Sequence, residues 1–408
     1  MVNQPCRSFG DICGAWHKPP MSEHDVIILG AGAAGLMAAI AAGKRGRRVL
    51  LLDHVAEAGA KILISGGGRC NFTNLGTAPE RFWSENPHFC KSSLGRFTPR
   101  DFIALVVKHG IAYHEKKLGQ LFCDGSARLI VKMLLDEAAA VGVEIRLAHK
   151  ITDVSRVDLF QVATDHGRFQ AKSLVLATGG LSIPKMGATG FTYDLSRRFG
   201  LRVTELRPGL VPLTFAGENL AMMENLAGVS LDIDAKYKKK TFREAMLFTH
   251  RGLSGPAILQ ISSCWREGAI TLDLLPGQDA LAFMLDRKRT RPRAEPRSVL
   301  SEILPQRLAQ ALVPLGATRI ADMPDRDLRA LALRLSAWTI TPSGTEGYAK
   351  AEVTCGGVDT RDLSSRTLEA RDVPGLFVVG EAVDVTGWLG GYNFQWAWAS
   401  GWCAGEAA

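Results

Sequence analysis

Four short stretches carry residue types and spacings that could do chemistry. Gly30, Gly32 and Gly35 form G-x-G-x-x-G around Ala33 and Ala34, and an acid, Asp53, follows. In that pattern the first glycine allows a tight turn, the second lets backbone approach a pyrophosphate and the third lets a helix pack closely on a strand. An acid roughly 20 residues on holds ribose hydroxyls. Residues 61–74, KILISGGGRCNFTN, place Lys61 and then Gly66, Gly67 and Gly68 before Arg69, Cys70 and Asn71. Consecutive glycines make a poor helix or strand but a good nest of amides for an anion, to which a guanidinium adds charge. Thr178, Gly179 and Gly180 end one apolar run, where their backbone would lie beside a bound pyrophosphate. Gly380 and Glu381 end another, and Gly390, Gly391, Tyr392 and Asn393 open a tryptophan-rich segment. Glu381 is placed either to bind a sugar hydroxyl or to cap a helix.

A reacting group is harder to name. Cys70 beside Arg69 could have a lowered pKa, with packing as the alternative. His250 and Arg251 in LFTHRGLSGP could face the site, with a plain hairpin as the alternative. No Ser/His/Asp triad and no metal-ligand set can be read.

The elements that must position these residues follow from periodicity. Residues 26–29 are a short apolar run expected of a parallel strand buried on both faces, 36–44 an alanine-rich helix, and 49–52 a second strand. Strand, glycines, helix, strand and acid thus stand in the order of a dinucleotide-binding βαβ unit. Amphipathic helices are expected over 97–110 and 126–141, capped by Thr98 and Ser126. Strand patterning covers 143–147, 150–154, 160–164 and 168–170, and a further buried strand 172–177. From 201 the chain changes to short strands at 210–215, 229–235, 246–249 and 270–274, with helices at 278–286, 299–312 and 325–335. That pattern suggests a small barrel or sandwich inserted into the first domain. Strands return at 351–356 and 376–379, and the tryptophans of the last helix read chiefly as core.

At 408 residues and 46% hydrophobic, the chain can bury sizeable cores. No apolar run reaches the roughly 20 residues of a membrane helix. Residues 1–24 read as a loose leader without the apolar region of a signal peptide, and translation from Met21 is an alternative. Eight cysteines without a C-x-x-C pair argue against a zinc cluster or dithiol motif and suit a reducing cytoplasm. The net charge of +8 gathers in two basic runs, 236–243 and 287–297. Either could attract phosphate backbones, but neither carries an aromatic stacking pattern, so solvated surface is expected and a nucleic-acid partner is not.

The blocks taken together resemble the bacterial FAD-binding flavoproteins of the BaiN-like, aminoacetone-oxidase-like or HI0933-like family. They are GAGAAG (30–35), KILISGGGRCNFTN (61–74), LATGGLSIPKMGATG (176–190), LFTHRGLSGPAIL (247–259), EVTCGGV (352–358) and VPGLFVVGEAVDVTGWLGGYNFQWAWASG (373–401). The resemblance implies an α/β, glutathione-reductase-like Rossmann domain for FAD at 25–193 and 345–408. An inserted β-barrel at 194–344 would interrupt it, carrying a helical subdomain at about 277–336. It implies that Gly30, Gly32, Gly35 and Asp53 hold the ADP half and Ile151 the adenine. Arg69, Cys70 and Asn71 would lie towards the flavin, and Gly380, Glu381 and Gly390 to Asn393 would serve ribityl and isoalloxazine. The chain departs from the family pattern at Phe191-Thr192-Tyr193, where a DGY-like sequence is expected, and at Trp388, Trp396 and Trp398, where relatives carry smaller or non-indole residues.

The expected function is an FAD-dependent oxidoreductase moving hydride between flavin and a small organic substrate. Only one G-x-G-x-x-G is present, so NAD(P)H would act as a transient donor, with oxygen as the alternative partner. Two other readings stay open: an RNA-binding or RNA-modifying flavoprotein using the basic runs, and a non-enzymatic FAD scaffold.

Overall fold

The computed structural model describes residues 22–313 and 319–408. Residues 1–21 of the expected leader lie outside them. The three that follow are not a loose segment: Ser22–Leu29 is one strand, β1, with Ser22, Glu23 and His24 in register with Phe169, Gln170 and Ala171. Their polar character hid the strand's beginning. His24 is nonetheless buried, edge-on to Phe169 and 3.3 Å from Glu144.

Val26, Ile27, Ile28 and Leu29 are wholly buried, as a central parallel strand requires. The main sheet runs Glu144–Arg146, Val49–Leu52 (β2), β1, Gly167–Leu176, Phe160–Thr164, Ile151–Arg156, and Leu376–Val378 also pairs with Gly167–Leu176. Pairings from Glu144–Arg146 through to Gly167–Leu176, and that with Leu376–Val378, are parallel. Those of the meander Ile151–Arg156, Phe160–Thr164 and Gly167–Leu176 are antiparallel. The strands expected at 168–170 and 172–177 are one ten-residue strand. Its first half belongs to the meander and its second half to the parallel sheet, so the change of burial pattern midway reads as a break.

Helix Ala33–Lys44 (α1) leaves the glycine turn and packs on the last helix, Tyr392–Gly405. The small residues of both helices are explained by this crossing: a Cβ at Gly401 or Gly405 would overlap the carbonyl oxygens of Ala34 or Ala38. Trp396 and Trp398 fill the core beside it and donate their indole N–H groups to Gly380 O at 2.9 Å and Phe72 O at 2.8 Å. The helix Pro99–Lys108 starts with a reciprocal capping box between Thr98 and Asp101, and Ser126 caps Ala127–Ala140.

A second hydrophobic core forms under a seven-stranded antiparallel sheet with edge strands Trp338–Ile340 and Gly344–Thr345. So short a link holds those edges within about 14 Å, and the sheet must curl towards closure. The helix expected at 299–312 is two, Pro296–Leu300 and Gln306–Leu312, because Pro305 cannot continue a helix and instead stands at the N-cap of the second. The cores are joined by two crossing strands, Arg207–Gly209 and Val353–Cys355, which pair with each other antiparallel. Among the described residues no helix is long and apolar enough to cross a membrane.

One ion cluster ties the helices behind the sheet. Glu137, on Ala127–Ala140, lies 2.5 Å from Lys108, 2.8 Å from His109 and 3.4 Å from Lys44 of α1. Burial opposes its charge, but these cations outweigh it and bring its carboxyl down to about 2. The folded-state pKa is depressed, so this stabilisation is complete above about 4.5 and is lost as the pH falls towards 2. Glu137→Gln should lower stability by about 1–2 kcal/mol at neutral pH, since both lysines are half-exposed. Urea unfolding at pH 7 and pH 3 checks this, the difference between the proteins shrinking at the lower pH.

Candidate functional site

A cavity of about 590 Å³ opens at the carboxyl ends of the parallel strands and runs to the crossing strands between the cores. At one end are Gly30, Gly32, Ala33 and Ala34, where the chain turns from β1 into α1. Gly32 is the N-cap and supplies no side-chain acceptor, which leaves the first-turn amides to face the cavity. A Cβ at Gly32, Gly67 or Gly179 would meet no protein atom within 4 Å, although all three glycines line the wall. The space each lacks a side chain to fill is a cradle for a ligand. A Cβ at Gly35, by contrast, would overlap the Gly30 carbonyl oxygen, and Gly35 is not on the wall. The residues present therefore fit a dinucleotide: the open space at Gly32 suits a phosphate, and Gly35 serves helix packing.

Asp53 closes this end. It accepts from Ala31 N–H at 2.6 Å and Val55 N–H at 3.1 Å and lies 3.2 Å from His54 Nδ1. Burial opposes its charge, but the His54 and backbone hydrogen bonds prevail and hold it below the usual carboxylate range. His54 donates Nε2–H to Gly187 O at 2.9 Å, fastening the 183–188 wall to the end of β2.

Midway, Lys61 donates to Ser182 Oγ at 2.6 Å and Glu381 at 2.7 Å, and Glu381 also accepts from Ser182 at 2.8 Å and Thr354 N–H at 2.9 Å. Beyond lie Gly66, Gly67, Asn71, Gln120 and Phe122, facing Gly390, Gly391 and Asn393. The last turn is rigid: Asn74 donates to Gly390 O at 2.8 Å, and Asn393 both accepts from and donates to Gly387. Gly391 takes φ +96°, and a Cβ there would overlap Thr73 O. Ile151, Thr178, Gly179 and Gly380 also reach the wall.

The structure does not bring every expected residue to the cavity. Gly68, Arg69, Cys70 and Tyr392 are absent from its lining. Arg69 is exposed, and Tyr392 is buried edge-on to Phe82. Cys70 is wholly buried, and desolvation pushes its thiol up to about 12, so it is no nucleophile. Cys70→Ala should keep its bound cofactor and turnover within about twofold and lower stability by about 1 kcal/mol, measured by cofactor absorbance and urea unfolding. His250 is exposed in the turn linking Lys240–Thr249 to Gly252–Ser254, away from the cavity.

Among the lining residues not anticipated are His54, Gln120, Phe122, Leu210, Leu389 and Glu352. His54 adjoins Asp53 in sequence and was within reach of pattern reading. Glu352 was not: it stands at the crossing strands, where it lines the cavity with its side chain exposed. Desolvation by the surrounding wall, with no compensating charge, pushes its carboxyl up to about 7.

Residues 24–407 match the family described as HI0933-like protein Rossmann domain. The chain is 50% identical over 392 residues to the ribosomal RNA dihydrouridine synthase of Escherichia coli (strain K12), covering 95% of this chain and 98% of that one. It is 30% identical to the 3-dehydro-bile acid delta(4,6)-reductase of Clostridium scindens, over 93% and 98% of the two chains. The 3-ketosteroid-delta4-(5alpha)-dehydrogenase of Rhodococcus jostii RHA1 shares the fold, with a TM-score of 0.50, 14% identity and coverage of 96% and 98%. The first of these relatives overturns the expectation that nucleic acid is not a partner, since a protein so similar over its whole length is named for its RNA substrate. A missing aromatic pattern inside the basic runs is a weak argument against such a partner, because a surface assembled from separate strands leaves no local motif.

Proposed function

Because the chain belongs to the HI0933-like family of FAD-dependent oxidoreductases, we propose that it reduces uridine to dihydrouridine in ribosomal RNA. The observation that carries this reading is the 50% identity over 95% of the chain to a ribosomal RNA dihydrouridine synthase. The bile-acid reductase at 30% identity supports the same chemistry: both names describe saturating a carbon–carbon double bond, in each case one conjugated to a carbonyl. Bound FAD, once reduced, supplies the hydride.

The chain's own residues bind and orient. The Gly32 cradle and α1 amides take the pyrophosphate, and Asp53 takes the adenosine ribose. Lys61 and Glu381 hold the middle of the cofactor, and the Gly390–Gly391 turn with Asn393 borders its reactive end. NAD(P)H is the proposed electron donor, without a second dinucleotide fold of its own, and the reaction belongs in the cytoplasm with ribosomal RNA.

The test is anaerobic reduction of the purified protein with NADH or NADPH, followed by unmodified ribosomal RNA. Cofactor reoxidation with formation of dihydrouridine, measured by nucleoside mass spectrometry, is expected. Reoxidation by a conjugated enone such as a Δ4-3-oxosteroid, with RNA inert, would replace this reading by a small-molecule alkene reductase.

A further inference from the structure

Six titratable side chains line the cavity: Asp53, His54, Glu57, Lys61, Glu352 and Glu381. Five are committed. Asp53 and His54 hold each other and nearby backbone, Glu57 is exposed with Arg128 at 2.8 Å, and Lys61 and Glu381 are locked together with Ser182. Glu352 alone has no hydrogen-bond or ion-pair partner for its carboxyl among the described residues. Its backbone N–H donates to Leu210 O at 3.2 Å, which fixes it at the paired crossing strands. Leu210 and Val353, beside it, also line the cavity.

We propose that Glu352 is the proton donor of this cavity, protonating the alkene carbon next to the one that receives hydride. The inference rests on the reading of the protein as an alkene reductase. For uridine, hydride arrives with its electron pair at C6 and the C5=C6 π bond breaks. The π electrons take the proton of the Glu352 carboxyl, so that C5–H forms as O–H breaks. The carboxylate recovers a proton from solvent, and a nicotinamide donor restores the two electrons. Desolvation by the surrounding wall raises the Glu352 carboxyl to about 7, so it still carries a proton in much of the protein at neutral pH.

The test uses FAD-loaded, full-length wild type, Glu352→Gln and Glu352→Asp. Cofactor content and reduction by NAD(P)H are expected to match in all three. Reoxidation by unmodified ribosomal RNA should slow at least about 100-fold in Glu352→Gln and partly recover in Glu352→Asp. The wild-type rate should fall as the pH rises through about 7, and the Glu352→Gln rate should not follow. Separately, the oxidised cofactor's absorbance should shift with pH around neutrality in wild type and not in Glu352→Gln. A Glu352→Gln protein that makes dihydrouridine at the wild-type rate, or a wild type without that spectral shift, overturns the proposal. If wild type makes no dihydrouridine, the RNA reading falls by itself. The same rate comparison with a Δ4-3-oxosteroid, and the spectral shift, then decide on Glu352.

Discussion

Gly32→Val should yield a folded protein that purifies without its flavin colour. Gly32 has φ −84° and ψ −169°, extended backbone that valine adopts readily, and a Cβ there meets no protein atom within 4 Å. The valine methyls would instead occupy the space in which a pyrophosphate meets the α1 amides. Several charge-assisted hydrogen bonds are lost together, each about 1.5–3 kcal/mol. FAD affinity should fall at least about 100-fold, roughly 3 kcal/mol. Apoprotein stability should stay within about 0.5 kcal/mol of the wild-type apoprotein.

Gly35→Val is the informative contrast. A side chain there overlaps the Gly30 carbonyl oxygen and approaches the Ala177 methyl, so α1 must move off the sheet. Its apoprotein should lose about 3 kcal/mol or more. Titration of each apoprotein with FAD, alongside urea unfolding, separates the two roles. A Gly32→Val protein that binds FAD normally would remove the phosphate from this turn. Equal stability of the two variants would remove the packing role from Gly35.

The contrast also marks what was legible in the sequence. The βαβ unit could be read because each of its parts is local: an apolar strand, glycines at fixed spacing, a small-residue helix and a terminal acid. The same holds for the Ser126 cap and the Thr98 box, which need only three or four residues. Reading failed where one element serves two surroundings. Gly167–Leu176 changes from meander to buried parallel strand halfway along, and Ser22 to Asp25 form a strand end that polar residues disguise. Pro305 could have been used to split the helix at 299–312. Cys70 looked reactive beside Arg69, but adjacent residues pointed apart, one to solvent and one into the core. Glu352 left no signal, because its environment is made by strands far apart in the chain, and an acid's protonation follows what surrounds it.

The two basic runs look alike in sequence and should behave oppositely on RNA. In the 287–297 run four of the six cations are engaged internally, Arg287 with Asp286 and Glu302, Lys288 with Asp325, Arg289 with Asp286, and Arg291 with Glu302, while Arg293 and Arg297 have no ion-pair partner among the described residues. In the hairpin of Ser230–Tyr237 and Lys240–Thr249, Arg243 pairs with Asp234, but Lys236, Lys238 and Lys239 are exposed with no ion-pair partner among the described residues. Lys238 holds φ +52° at the hairpin turn, a left-handed conformation that glycine adopts more easily. Next to them Lys240 lies 4.7 Å over the Trp83 ring, and Trp83 packs against Trp388, which adjoins the cavity residues Leu389 and Gly390. This hairpin thus presents unneutralised charge beside one cavity wall. Replacing Lys236, Lys238 and Lys239 by serine should flatten the plot of log affinity for ribosomal RNA against log salt by about 2–3. Since each unit of slope is one decade of affinity per decade of salt, binding in about 0.1 M salt should weaken at least ~100-fold. Cofactor content and reduction by NAD(P)H should be unchanged. Arg289→Ser and Arg291→Ser together should leave the salt slope as in wild type and lower the stability of the helices around them instead. Equal slopes in the hairpin variant and wild type would place the RNA elsewhere on the molecule.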